Sequence, residues 1–198
     1  MRKICSILIV ITALANISYA ASGRADEIRY GKAYAKNIVP GIIEAENFND
    51  GKNGVAYYDG TESKAAVYRT DTDVEIYAYG AGYMVAPYTK EWMNYTVNAL
   101  AAGKYTISAY GYDGTGNSSA VNVYVNSEKR LDSVKIPPTI NNSYSEVVLG
   151  TVELEKGENV IKIEQISGYG GYDSFKFTRK RIDRANQKAY FIRKTPCM

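Results

Sequence analysis

The chain has no histidine among its 198 residues. Ser-His-Asp and Cys-His catalysis are therefore excluded, and so are histidine-based zinc sites. Cysteine is almost as scarce: there are two, Cys5 and Cys197, and Cys5 sits at the extreme N-terminus. With that terminus set aside one thiol is left, so neither an internal disulfide nor a cysteine metal cluster can form. No apolar run is long enough to span a bilayer. No glycine-rich loop leads into a helix in the manner of a phosphate-binding loop. No helical stripe at a 3.6-residue period persists between Val39 and Thr178. Of the common catalytic devices a carboxylate pair remains, and Glu44 with Glu46 is the most visible. Neighbours on one strand face cannot flank a substrate from opposite sides, as acid and nucleophile must. Catalysis by this chain is not expected.

What is present begins with a leader. Arg2 and Lys3 precede an apolar run from Ile4 to Ala15, and Ser18-Tyr19-Ala20 puts small residues near its end. This is the pattern of a secretory signal peptide cut after Ala20, so residues 1–20 read as removed and the rest as exported, extracellular or periplasmic. Cys5 lies at the start of the apolar run rather than after it, which argues against a lipoprotein. Residues 21–38 are polar and aperiodic apart from Tyr30 and Tyr34, and read as a linker. Val39-Pro40-Gly41 marks a turn into one domain, 39–178, large enough to sustain its own core. Residues 179–198 carry seven basic residues against Asp183. Such a tail is a solvated extension or a contact for a polyanion or membrane surface. The formal net charge of +3 is thus misleading. Without the two basic residues of the leader and the +6 of the tail, residues 21–178 stand at −5, unlike a nucleic-acid footprint. A monomer is expected.

Within the domain, short alternating stretches are separated by Gly, Asn, Asp and Pro. Val55–Tyr58, Ala66–Arg69, Val74–Tyr77 and Tyr83–Ala86 are strand candidates. Met93, Tyr95 and Val97 make one apolar face, with Asn94 and Thr96 opposite. Tyr105, Ile107 and Ala109 alternate with Thr106, Ser108 and Tyr110, and Val121, Val123 and Val125 with Asn122, Tyr124 and Asn126. Leu131–Ile136, the Val148–Leu154 face, Val160–Ile166 and Tyr172–Thr178 complete the set. Many strands rich in Val, Ile, Thr and Tyr predict an all-β fold, a jelly-roll β-sandwich of two antiparallel sheets.

Two features carry chemistry. In an extended Ile43–Phe48, Glu44, Glu46 and Phe48 share one face, and Ile43, Ala45 and Asn47 the other. Two carboxylates so placed are either solvated on an edge strand or matched to a hard cation such as Ca²⁺. The second feature is an excess of tyrosine, 19 residues beside one tryptophan. A phenol has a flat apolar face and a polar tip. It serves equally as a strand residue packed on its neighbours or as a platform for the C–H face of a sugar ring.

The run Ile43-Glu44-Ala45-Glu46-Asn47-Phe48, then Gly54–Asp59, Tyr68-Arg69, Asp73-Val74-Glu75-Ile76, Gly82–Val85, Glu91–Val97, Ala102–Thr106 and Gly171–Phe175 together resemble the family 6 carbohydrate-binding modules, over roughly Val39 to Thr178. The resemblance implies a secreted, non-catalytic β-sandwich that binds a polysaccharide or oligosaccharide, of plant or algal xylan or β-glucan type, beside a linked glycoside hydrolase. It places a sugar between Tyr68 and Tyr144, where a tryptophan is common at the second position. The family asparagine two residues before Asp173 is replaced by Gly171, with Asn142 or Tyr169 as substitutes. It implies a second site on a sheet face, lined by Tyr110, Tyr112 and Tyr124, and makes Trp92 a packed scaffold residue. It also implies a structural Ca²⁺ between the first and last strands, held by Glu44, Glu46 and Asp173 with backbone carbonyls near Arg69. Two other readings stand beside it: the N-terminal part of a modular glycoside hydrolase, and a surface or adhesion sandwich that binds no sugar.

Overall fold

Alternation of apolar and polar residues builds strands wherever one face can be buried, and here it does so throughout. The computed structural model describes residues 25–61, 65–116, 118–139 and 143–180. Among them the strands are, in chain order, β1 (Asn37–Val39), β2 (Gly41–Glu44), β3 (Tyr57–Tyr58), β4 (Ile76–Tyr79), β5 (Gly82–Val85), β6 (Trp92–Ala99), β7 (Gly103–Asp113), β8 (Ser119–Val125), β9 (Glu128–Ile136), β10 (Ser145–Leu154), β11 (Gly157–Ser167) and β12 (Gly170–Arg179). One sheet runs β1-β6-β11-β8-β9 with β3 also on β6; the other runs β10-β7-β12-β5-β4 with β2 also on β12. Every pair is antiparallel except β1 with β6. This is the expected jelly-roll β-sandwich. No helix among the described residues is long and apolar enough to cross a membrane.

The faces fall as the alternation dictates. Tyr105, Ile107 and Ala109 of β7 are buried, as are Val121, Val123 and Val125 of β8. Several tyrosines belong to this core. Tyr95, Tyr105 and Tyr172 are fully buried with Phe48 and Phe175. Each buried phenol finds an acceptor: Tyr95 donates to the Ala45 carbonyl at 2.9 Å, Tyr105 to Ala101 at 2.7 Å and Tyr172 to Gln165 at 2.8 Å. A ring can therefore enter the core here without leaving an unpaired hydroxyl.

Three expectations change on folding. The alternation at Ile43–Phe48 breaks, because β2 ends at Glu44 and the chain turns, Asn47 N–H donating to the Glu44 carbonyl at 3.0 Å. Phe48 is thereby rotated into the core rather than kept beside Glu44. Ala66–Arg69 is not a strand: Arg69 has φ 51°, the left-handed region, which a strand excludes. The stretch read as a linker, where described, packs on the sandwich. Residues 25–30 are helical, Lys32 bridges Asp50 in both directions at 2.7 Å, and Asn37 begins β1.

Candidate functional site

The first sheet's outward face presents two rows of side chains fixed by register. Glu164 of β11 lies between Trp92 of β6 and Asn122 of β8, and Lys162 lies between Asn94 and Tyr124. Their strand neighbours Met93, Ile163 and Val123 point into the core, so these residues lie on the outer side of the sheet, where Asn94 and Asn122 are nevertheless covered by neighbouring segments. Lys162 Nζ stands 4.0 Å from the Tyr124 ring centroid and 5.3 Å from that of Trp92. Tyr124 donates its hydroxyl proton to Glu164 Oε2 at 2.7 Å, and Asn122 Nδ2 donates to the same oxygen at 3.1 Å. Tyr58 lies nearly parallel to Trp92 with centroids 6.5 Å apart. A cleft of about 240 Å³ opens over this surface, walled by Trp92, Asn94, Tyr124 and Lys162, with Arg29 and Tyr30 from the N-terminal segment. Burial lowers the Lys162 ammonium, and burial followed by the Glu164 hydrogen bond raises the Tyr124 phenol. The result is flat apolar ring surface bordered by fixed donors and acceptors.

Tyr68 and Tyr144 occupy separate ring clusters. Tyr68 stacks on Tyr83 at 4.3 Å and 9°, meets Tyr34 edge-on at 6.4 Å, and both Tyr68 and Tyr83 pack against the core. Tyr144 stacks on Tyr79 at 3.9 Å, contacts Tyr110 and Tyr112, and approaches the Met84 sulfur with its hydroxyl. Tyr83 and Met84 are consecutive in β5 and so point to opposite faces. The two rings thus lie on opposite sides of the β4–β5 hairpin and form no pair. Tyr169 packs on Tyr88 at 5.4 Å and lies across Gly114, where a Cβ would come within 2.0 Å of its ring. Asn142 lies outside the described residues. Gly171 is paired with Tyr112, whose ring covers it.

Tyr110, Tyr112 and Tyr124 do not line one face. The first two are on β7 of the second sheet and the third on β8 of the first. Trp92 is partly buried between Tyr58 and Lys162 but also lines the cleft, so it is more than a packed scaffold residue. The signal for that was legible, since Met93, Tyr95 and Val97 claim the buried side of the same strand.

Glu44, Glu46 and Asp173 converge where β2 meets β12. Ala45 N–H donates to the Asp173 carbonyl at 2.8 Å, and a bulge at Asp173 interrupts the register. Glu46 is buried, its Oε2 has no partner among the described residues, and its carboxyl is pushed up to about 7 by burial and then by the charges of Glu44 and Asp173. Burial and Asp173 also raise Glu44. The donors are all oxygen and anionic, as a hard divalent cation requires, and Glu46 supplies a buried orphan oxygen, but the carboxylate oxygens of the three do not all lie within 4.8 Å of one another as they stand. Arg69 serves nearby as a pin. Its guanidinium sits 4.1 Å from the Tyr34 centroid and 3.8 Å from that of Phe48, and it donates to the carbonyls of Glu46, Phe48 and Asn49 and to Asp50.

Among known proteins, no family model and no curated sequence matches the chain. Solved structures do. A family 6 carbohydrate-binding module whose binding sub-sites were dissected by crystallography and calorimetry aligns with TM-score 0.56 at 16% identity, over 73% of this chain and 98% of that one. A family 6 module from Clostridium stercorarium, solved with cellobiose, aligns with TM-score 0.53 at 16% identity, over 74% and 98%. The C-terminal family 6 module of LamC, a marine laminarinase from Zobellia galactanivorans, aligns with TM-score 0.52 at 20% identity, over 70% and 98%. At these identities the likeness establishes the fold: the chain has the β-sandwich of the family 6 carbohydrate-binding modules.

Proposed function

We propose that the protein is an exported, non-catalytic carbohydrate-binding module that takes a plant or algal β-glycan of xylan or β-glucan type. The observation that carries this reading is the outward face of the first sheet. There Trp92 and Tyr124 border the cleft with ring surface and Lys162 and Glu164 offer charged heads, while Asn94 and Asn122 are buried behind them, their amides bonded within the protein. A pyranose has a C–H face for such rings and hydroxyls for such heads. Each ring contact contributes about 0.5–1.5 kcal/mol beyond area burial, by analogy with aromatic pairs. Two rings and a few hydrogen bonds, less the entropy of binding, give an affinity on the order of micromolar to millimolar. The cluster of Tyr144 with Tyr79, Tyr110 and Tyr112 is a second contact patch, whereas Tyr68, stacked on Tyr83 against the core, serves the scaffold. Tethered to a glycoside hydrolase, such a module raises the enzyme's concentration on polysaccharide. Glu44, Glu46 and Asp173 are the residues that would hold a structural Ca²⁺, which would neutralise three converging carboxylates and tie the first strand of the second sheet to the last.

Affinity electrophoresis on a glycan panel tests the reading. Retardation by a xylan or β-glucan is expected, with Trp92→Ala and Tyr124→Ala each weakening it about tenfold and Tyr68→Ala leaving it intact. Loss in Tyr144→Ala alone would move the site to the second sheet. Unretarded migration of the intact domain on every glycan rejects sugar binding.

A further inference from the structure

A second group of carboxylates lies apart from Glu44, Glu46 and Asp173. Asp59 follows β3, Glu75 precedes β4 and Glu91 precedes β6, and each offers an oxygen within 4.8 Å of the other two. All three are buried, Glu75 at 0%, Glu91 at 3% and Asp59 at 6% exposure. Their hydrogen bonds can be accounted for atom by atom. Glu91 is satisfied, accepting the Gly60 N–H at 3.1 Å and the Tyr88 N–H at 2.7 Å. Asp59 Oδ1 accepts the Thr61 N–H at 2.9 Å. The Thr61 hydroxyl lies 3.1 Å from Asp59 Oδ1 and 2.5 Å from Glu75 Oε1, but it has one proton and can donate to one of them at a time. Asp59 Oδ2 and Glu75 Oε2 are both buried with no donor among the described residues, and the two side chains lie close enough to share a proton. None of the ion pairs among those residues reaches this group. Buried carboxyl oxygens without donors are costly, and the deficit here is made up either by a proton held between Asp59 and Glu75 at acid pH or by a cation once that proton leaves.

We propose that Asp59, Glu75 and Glu91 form a cation site for Ca²⁺. The donors are all oxygen and anionic, which selects a hard cation. Their burial leaves little room for the several waters that Mg²⁺ retains, whereas Ca²⁺ takes carboxylate oxygens directly in flexible geometry. Glu91 is held by the Gly60 and Tyr88 N–H groups, so the ion would join the turn after β3, the approach to β4 and the loop carrying Tyr88. That loop reaches Tyr169 through the Tyr88 ring, so the ion would stiffen one rim of the sandwich. This site is independent of sugar binding and of Glu46.

Metal-free full-length protein is titrated with CaCl₂ by calorimetry and with Tb³⁺ by luminescence under aromatic excitation, Trp92 being next to Glu91. Glu46→Gln is expected still to bind one Ca²⁺ and to show Tb³⁺ emission. Glu75→Gln is expected to lose that site, with affinity down at least tenfold, and the double variant to bind none. Circular dichroism monitors folding, and Asp59→Asn replaces Glu75→Gln if the latter does not fold. A Glu46→Gln protein that is folded and binds no Ca²⁺, or a Glu75→Gln protein with unchanged stoichiometry, overturns the proposal. Failure of the glycan panel leaves it untouched.

Discussion

A Cβ placed on Gly171 would lie 2.1 Å from Cε1 of Tyr112, far inside contact distance. The glycine is therefore the complement of a ring, and the absent family asparagine is explained by what covers its place. Restoring it is expected to harm the protein. Gly171→Asn must displace Tyr112, and overpacking of this kind costs about 1–3 kcal/mol. Adding Tyr112→Ala opens the space, so the double variant should be more stable than the sum of the single changes implies. Urea melts of the four proteins measure this. Additive losses would mean that the ring and the glycine are not coupled.

The N-terminal segment shows how an element can be structural without a strand pattern. Tyr34 stacks on the Arg69 guanidinium and bonds the Tyr68 hydroxyl, and the Tyr30 carbonyl accepts from Asn49 Nδ2 at 3.0 Å. A chain starting at Asn37 loses these contacts and the Lys32–Asp50 bridge while keeping every strand. From one cation–π contact and a few hydrogen bonds the expected loss is about 2–4 kcal/mol. It appears in a chemical melt, and an unchanged midpoint would restore the linker reading. This segment was hidden in the sequence because its partners are asparagine amides, one backbone bridge, a tyrosine hydroxyl and an arginine, all further along the chain. By contrast β7 and β8 were legible residue by residue, since apolar core residues alternate along each with polar ones on the other face. The start of β9 was not: Glu128, Lys129 and Arg130 lie exposed on an edge strand, and charge there reads as loop. The site divides in the same way. Glu44 and Glu46 stood out by spacing, whereas Trp92, expected to be a packed scaffold residue, did not. Asp59, Glu75 and Glu91 are assembled only when three loops meet.

For the molecule as a whole, the buried carboxylates set how stability depends on pH. Glu46 is raised to about 7 from an ordinary 4.5, and Asp59 to about 6 from 3.8, burial being the first cause of both. A raised carboxyl binds its proton more tightly in the folded chain than in the unfolded one. Its contribution is complete below the ordinary carboxylate range and is lost as pH rises through the folded value. Metal-free protein should therefore become less stable from about pH 4 to about pH 7. At about 1.4 kcal/mol per unit, Glu46 alone accounts for about 3 kcal/mol, or about 5–10 °C in melting temperature for a domain of this size. Ca²⁺ acts in the opposite sense, because it binds the ionised form and its affinity rises as the protons leave. Melting curves from pH 4.5 to 7.5, with and without millimolar CaCl₂, should converge at the acid end and separate toward neutrality. Glu46→Gln removes the largest of these titrations and should flatten the metal-free profile. A wild-type profile already flat without metal would show that water reaches these carboxylates, and the need for a cation would go with their burial.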